Sequence, residues 1–497
     1  VTAGLLAALP LAVILLGMGV LRRSAVAAGA AGLGVALLLA LGVFGLDAGA
    51  GAGAGAGRAG LGVAAEAGFS TLTILWIILP ALAIYEYQQR TGAIARIRDM
   101  LAALSDDPRV LAILIAFFFG LFLEGAAGFG TPVALAAPLL VGLGHPPVRA
   151  VVLALLGHAA GVSFGAIGTP ILAQGAMGLD AGAIAWRTAA LHAAAGPILL
   201  LAMLRMAAPE RLSRGDLGWA AAAAGCFFAP SLALAALAGP ELPTLGGALL
   251  GAVGFVLLHA WRRGSRVPAS PTLLADLAPY LGIVILVLLT RLVPPLQAGL
   301  SGLALDWRLD GDFSGRFEPL YHPGTMLAAG LLGAALWTGQ AGRLAPATVA
   351  ALRRLAPVAL ALLVMLTLSR LMVHAGMIAA LAELAAGAGA AWPLLAPLLG
   401  VLGTLVTGSA TASNILLTEL QVAAAEGLGL PLTTMAAAQS FGAAIGNVVA
   451  PHNIIAGCAT VGLTGREGDI LARTVWPCLA AAAIGGLLVL GATLGGG

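Results

Sequence analysis

Glu124-Gly-Ala-Ala-Gly-Phe-Gly-Thr-Pro132 interrupts an apolar run that starts at Val110. Residues 110–123 carry no charge and read as helix inside a bilayer, where a spanning segment needs about 20 apolar residues to cross roughly 30 Å of hydrocarbon. The helix cannot continue past Glu124 unbroken. Pro132 has no N–H to donate and steers Thr131 out of helical backbone, and the glycines permit a turn. Unwound backbone at that depth is tolerated only where it lines a cavity or lies buried in protein. Three more breaks of this kind occur: Phe164-Gly-Ala-Ile-Gly-Thr-Pro170, Gly408-Ser-Ala-Thr-Ala-Ser-Asn414 and Gly442-Ala-Ala-Ile-Gly-Asn-Val-Val-Ala-Pro-His-Asn453.

The surrounding chain is of one kind. Its 497 residues are 60% hydrophobic and 9% charged, against about 25% charged for a soluble domain. Uncharged apolar runs recur from residues 3–21 to the C-terminus. The fold expected is an all-α polytopic membrane protein of about 12 to 14 transmembrane helices, some broken or re-entrant. A β-barrel would alternate in segments of about ten residues, and these runs are continuous. Residues 3–21 read as the first membrane helix rather than a cleaved leader, because further spans come after it.

All 24 basic residues are arginine, which excludes Schiff-base and P-loop lysine chemistry. They are scattered, with no basic domain for nucleic acid. Cys226, Cys458 and Cys478 lie in apolar runs without C-x-x-C spacing, so neither a disulfide framework nor a metal site is expected. No cofactor is expected.

Arginine clusters set the topology, because cytoplasmic loops collect them. Arg22/Arg23, Arg90/Arg96/Arg98, Arg205/Arg211/Arg214, Arg262/Arg263/Arg266 and Arg343/Arg353/Arg354 mark that side. Paired runs separate successive clusters, at 24–46 and 67–85, at 217–239 and 242–258, and at 274–294 and 323–340. Each pair returns the chain to one side, which places the N-terminus outside. The Ala/Gly repeat 48–57 is then an external linker. The loop 297–322, with Asp306, Asp310, Asp312 and Glu318, is a solvated connector or a gate. Within 89–105, Ile94, Ile97, Leu101 and Leu104 recur at helical spacing, as in a short amphipathic helix on the cytoplasmic interface. Four regions result: N-terminal spans (1–106), a first core with two breaks (107–215), central spans (216–354) and a second core with two breaks (355–497).

The two cores repeat each other. Gly161, Gly165 and Pro170 match Gly442, Gly446 and Pro451 at an offset of 281, and Gly120 and Gly125 match Gly403 and Gly408 at 283. Each glycine pair is followed 19 residues later by another glycine, Gly144 or Gly427. Residues 110–123 leave a cytoplasmic loop outward. If residues 376–389 do not span, residues 392–407 run inward, and the repeats are inverted as in many secondary transporters.

Helix N-termini at such breaks would suit a carboxylate, which nominates Gly128, Gly130, Thr131, Gly168 and Thr169. Close helix packing is the alternative use of the glycines, and it accounts for Gly157, Gly161 and Gly165. Ser409, Thr411, Ser413, Asn414, Asn447 and Asn453 suit hydrogen bonds to a hydroxyl or carboxylate, or to freed backbone. Ionisable groups inside spans are costly and often functional. Glu124 carries a proton in a coupled cycle or caps its break. Arg370 anchors an anion, pairs with an acid or snorkels. His158 and His452 are proton sites, substrate contacts or core histidines; His192 and Glu419 are weaker candidates. Gly161-Val-Ser163-Phe-Gly165 fits G-x-S-x-G, but a nucleophile elbow needs an α/β sheet. An intramembrane serine protease would need only Ser163 and a histidine, and is the enzyme rival to a non-enzymatic reading.

Residues 124–134, 164–171 and 408–414, together with Gly239-Pro-Glu-Leu-Pro243 and Ala459-Thr-Val-Gly-Leu-Thr-Gly-Arg-Glu-Gly468, resemble the L-lactate permease family from about Trp76 to Arg473. The resemblance implies a multi-pass symporter of the bacterial inner membrane. It would move lactate, glycolate or a related small 2-hydroxy monocarboxylate with protons, with the bilayer and the acid as its partners. Homo-oligomers stay open. Two departures stand out: Ala410 where the family motif has an acid, and Ala450-Pro-His452 where many members read Ser-Pro-Gln. A sodium-coupled carboxylate or dicarboxylate carrier is the nearest rival. A proton-channel subunit would need charges strung through several helices, and most spans here are bare.

Overall fold

Apolar runs free of glycine–proline pairs become long helices, and runs that contain one stop midway. The computed structural model describes residues 2–17, 21, 23–46, 56–128, 130–208, 210–264, 271–309, 313–463 and 466–494. Arg22, Arg266, Asp310, Asp312 and most of the 48–57 linker, all read from sequence, lie outside them.

In chain order, α1 (Thr2–Leu15) and α2 (Ala25–Leu39) precede the 36-residue α3 (Ala56–Thr91) and the short α4 (Ala93–Ala102). The first broken unit begins with α5 (Pro108–Ala112), a π-turn at Ile113–Phe119 and α6 (Gly120–Ala126). Beyond the break come α7 (Thr131–Gly142), α8 (Pro147–His158), a 3-10 turn at Ala159–Phe164 and α9 (Gly165–Gly175). Next, α10 (Ala181–Ala195) and α11 (Pro197–Ala207) meet at a 41° bend. Three continuous helices come after it: α12 (Arg214–Ala238), α13 (Pro243–Arg263) and α14 (Leu273–Leu292). Then α15 (Pro294–Ser301) leads to a hairpin of β1 (Leu305–Leu309) and β2 (Phe313–Phe317), and on to α16 (Pro323–Trp337) and α17 (Leu344–His374). After α18 (Met377–Ala386), the second broken unit runs through α19 (Trp392–Thr407), α20 (Ala410–Leu428) and α21 (Leu432–Ile445). It ends with a 3-10 turn at Gly446–Val449 and α22 (Pro451–Thr460), and α23 (Glu467–Leu494) closes the chain.

Among the described residues nine helices are long and apolar enough to cross a bilayer, or up to eleven if each of two bent pairs is one span. Three shorter apolar helices, Thr2–Ile14, Pro132–Gly142 and Pro323–Trp337, bring the apolar segments into the range expected from sequence. This is a polytopic helical membrane protein.

Helices α3 and α17 pack as an antiparallel pair. Glu66 Oε2 lies 2.9 Å from His374 Nε2 at one end, and Arg354 Nη1 lies 3.0 Å from Glu86 Oε1 at the other. The loop 297–322 is more ordered than a solvated connector. Its antiparallel hairpin pairs Leu305 with Phe317 and Leu309 with Phe313. Phe313, 1% exposed, seats against Gly62 of α3, where any side chain would overlap its ring, and meets the His374 ring at 4.5 Å, tilted by 44°. The amphipathic α4 buries Ile94, Ile97 and Leu101, while Arg96 pairs with the buried Asp276 of α14. That ion pair raises the Arg96 pKa above its ordinary value.

The two broken units share one order: helix, glycine turn, helix, helix, 3-10 turn, helix with an early proline. Gly165–Pro170 and Gly446–Pro451 keep the 281 offset at equivalent turns. The 283 offset does not hold structurally. It pairs Gly125, inside α6, with Gly408 at a turn; the first unit turns at Gly128 and Gly130 instead. Gly125 serves packing, since a Cβ there would lie 2.5 Å from the Leu245 nitrogen of α13.

Candidate functional site

Each break turns for a local reason. Gly128 and Gly130 take φ of 57° and 75°, left-handed backbone that glycine enters freely. Gly408 (φ 72°) ends α19, and the Ser409 hydroxyl caps α20 by accepting from Ala412 N at 3.3 Å. Pro451 opens α22 at a position whose N–H would be unpaired anyway. The second break is the strained one. Ala166 (φ 43°), Ile167 (φ 55°) and Gly168 (φ 78°) form a left-handed run, which costs roughly 1–2 kcal/mol at each non-glycine. The Thr169 hydroxyl donates to Ala166 O at 2.6 Å, satisfying backbone that the turn has freed.

All four breaks meet. A Cβ on Gly130 would lie 3.0 Å from Asn453 Oδ1, and one on Gly408 would lie 2.7 Å from His452 Nδ1. Asn414 Nδ2 donates to Pro170 O at 3.1 Å, and Glu124 Oε1 occupies the space a Gly165 side chain would need. Between them is a cavity of about 320 Å³. One wall holds Glu124, Gly128, Gly130, Ser409, Ala410, Thr411, Asn447, His452 and Asn453, with the N-terminal ends of α7, α20 and α22 among them. The facing wall is apolar: Ile78 of α3, and Pro357, Val358, Ala361, Leu362 and Met365 of α17. Glu124 and His452 are the ionisable groups among these lining residues, and no arginine is present.

The polar wall has unused hydrogen-bonding capacity. Asn453, 1% exposed, donates from Nδ2 to Asn447 O at 3.3 Å, while the Oδ1 atoms of both asparagines lack a partner among the described residues. A buried acceptor without a donor is costly, so a ligand hydroxyl would fit here. Helix N-termini supply partial positive charge for a carboxylate. Glu124 is 4% exposed, and behind it His158 commits Nδ1 to Ala154 O at 2.6 Å and turns Nε2 toward Glu124 Oε2 at 3.9 Å.

Other nominated residues lie off the cavity. Gly168 packs against Pro240 O. Ser413 donates to Gly400 O at 3.1 Å and accepts from Gln439 Nε2 at 3.1 Å. Asn414 and Thr169 hold broken backbone. Arg370 does not line the cavity: its Nη2 lies 3.3 Å from Glu419 Oε1, the acid-partner alternative. His158 stands behind Glu124 rather than on the wall. Sequence reading missed Glu241, 1% exposed, whose backbone N would sit 3.1 Å from a Cβ on Gly168. It also missed the apolar wall, for which Pro357 inside a span was the available signal.

Ser163 Oγ lies 2.9 Å from His192 Nε2, a distance a serine nucleophile would want. The hydroxyl however donates to Ser440 O at 3.0 Å, and Ser163 is fully buried away from the cavity. His192 therefore faces a hydroxyl whose proton is engaged elsewhere.

Two units of broken helices whose ends converge on a central polar cavity define the architecture of a membrane transporter. The L-lactate permease family profile matches residues 3–271 and 312–494. The chain is 30% identical over 492 residues to the glycolate permease GlcA of Escherichia coli K12, covering 86% of each chain. It is 31% identical over 451 residues to an L-lactate permease of Salmonella typhimurium, covering 81% of each. The solved YdaH transporter of Alcanivorax borkumensis aligns over 86% of both chains at 18% identity and a TM-score of 0.48. This chain belongs to the L-lactate permease family.

Proposed function

We propose that the protein is a secondary active transporter that carries lactate, glycolate or a related small 2-hydroxy monocarboxylate together with a proton across the bacterial inner membrane. One observation carries the reading: a single cavity combines helix N-termini, orphaned asparagine acceptors, a buried carboxyl and an apolar wall. Each part answers to one part of such an acid. The carboxylate meets the N-terminal ends of α20 and α22. The 2-hydroxyl donates to Oδ1 of Asn447 or Asn453. The hydrogen or methyl at C2 rests on Ala361, Leu362 and Met365. A second negative charge beside the substrate would be repelled, so Glu124 takes up a proton as the anion enters, and the pair crosses as a neutral unit.

The names of the relatives, permeases for glycolate and L-lactate, agree with this substrate class and with a protein that is not an enzyme. Helix α18 has ten residues, about 15 Å at 1.5 Å per residue, too short to cross. That supports an inverted repeat, while the arginine clusters, taken as cytoplasmic, support a periplasmic N-terminus. Alternating access would move the broken units past the α3–α17 wall.

The test is uptake of labelled lactate and glycolate into proteoliposomes, under an imposed pH gradient and with or without Na⁺. Accumulation driven by the pH gradient alone is the result expected. Uptake that needs Na⁺ and ignores the pH gradient would transfer the protein to the sodium-coupled class.

A further inference from the structure

A second cleft, of about 510 Å³, shares no lining residue with the substrate cavity. Arg149 of α8, Arg205 of α11 and Arg473 of α23 converge on it from three distant parts of the chain. Its remaining lining is apolar, Val148, Val152 and Met206 among it.

Several arginines elsewhere on the chain are neutralised by a carboxylate. Arg90, Arg96, Arg109, Arg354 and Arg466 each pair with a carboxylate: Glu86, Asp276, Asp216, Glu86 and Asp469 in turn. Among the described residues no carboxylate lies within ion-pair distance of Arg149, Arg205 or Arg473; Arg473 donates only to the Asp469 carbonyl, at 2.8 Å. Arg205 sits in the last turn of α11, where its charge suits the helix dipole. That accounts for one of the three, not for their convergence. Three like charges around one cleft repel unless an anion joins them. The cleft also receives the start of the 12-residue α8, whose first turn adds partial positive charge.

The neighbourhood identifies the anion. On α23, Leu471 and Leu479 are 40% exposed and Trp476 is 73% exposed, flanking Arg473 on the same helix. Exposed tryptophan beside arginine is the pattern of a membrane–water interface, and basic pockets between helices at that level recognise lipid head groups. We propose that this cleft binds the phosphodiester head group of an anionic phospholipid, with the acyl chains lying along the exposed apolar side of α23. The assignment is independent of the substrate reading.

The experiment is native mass spectrometry of the purified full chain, incubated with equal phosphatidylglycerol and phosphatidylethanolamine. Wild type is expected to retain phosphatidylglycerol preferentially. The triple variant Arg149→Gln/Arg205→Gln/Arg473→Gln should lose that preference, by about fivefold per arginine. Arg353→Gln, an exposed arginine elsewhere without a carboxylate partner among the described residues, should behave as wild type. If the triple variant is not monodisperse, the exposed Arg205→Gln alone should show the fivefold loss. Equal retention by wild type and variant, or no preference in wild type, overturns the proposal. A parallel melting series with inorganic phosphate separates the sources. Stabilisation of wild type alone by phosphate, without lipid preference, would make the cleft a free-anion site and overturn the lipid assignment.

Discussion

Glu124 Oε2 and His158 Nε2 face each other at 3.9 Å, and the other ring nitrogen of His158 is bound to the Ala154 carbonyl. The histidine therefore turns a lone pair, not an N–H, toward the carboxyl. At 3.9 Å the pair is not hydrogen-bonded, and an approach of about 1 Å would let a protonated Glu124 donate to that nitrogen. An ionised one finds no donor from His158 unless the ring itself takes a proton.

Glu124→Gln imitates the protonated side chain permanently. Exchange of labelled for unlabelled lactate across the membrane is expected to survive, while accumulation driven by a pH gradient is abolished. If the variant still concentrates lactate in response to the gradient, Glu124 is not the coupling group.

Gly165→Ala tests the same carboxyl from the opposite side. Gly165 has φ −64° and ψ 154°, backbone open to any residue, so its requirement for glycine is purely steric. The added methyl would strike Glu124 Oε1. Overpacking of this kind costs about 1–3 kcal/mol, read as a lower melting temperature together with lost transport. Gly225→Ala on α12, where a Cβ meets nothing within 4 Å, should leave both unchanged.

Asn453→Ala removes an acceptor that the proposed binding mode assigns to the 2-hydroxyl. Competition assays should show the preference for lactate over propionate fall by up to about tenfold, since one hydrogen bond contributes about 1 kcal/mol. Propionate affinity itself should hardly change.

Arg370 and Glu419, 3.3 Å apart and mostly buried, should behave as a structural pair. Removing one member of a buried pair costs about 3–5 kcal/mol, because the other charge is stranded. Arg370→Gln alone should then melt early, and Arg370→Gln/Glu419→Gln should recover stability and transport together. Recovery of stability without transport would restore Arg370 to a part in anion binding.

Proline and glycine made the breaks readable in sequence, because a missing N–H and a permitted turn leave their mark wherever they fall. The left-handed run at Ala166 and Ile167 left none: both are ordinary residues in an apolar stretch, and only the surrounding packing holds them there. The β1–β2 hairpin was legible in principle, since Leu305, Trp307 and Leu309 alternate, but acidic residues on either side suggested a solvated loop. Asn447, Asn453, His452 and Glu124 reached the cavity as their motifs suggested. Arg370 did not, because a charge inside a span points to a partner without saying which. Glu419 lies 49 residues further on, and only folding shows that the two meet.

The cavity assigns charge and shape to different parts of the chain. In the proposed binding mode, recognition of the anion falls to backbone N–H groups, and the space for the tail is set by a few residues on α17. A single enlargement at Ala361 would shrink the admissible acid while leaving the anion pole and the proton carrier untouched. On that reading, substitutions along α17 alone are enough to exchange one cargo for another.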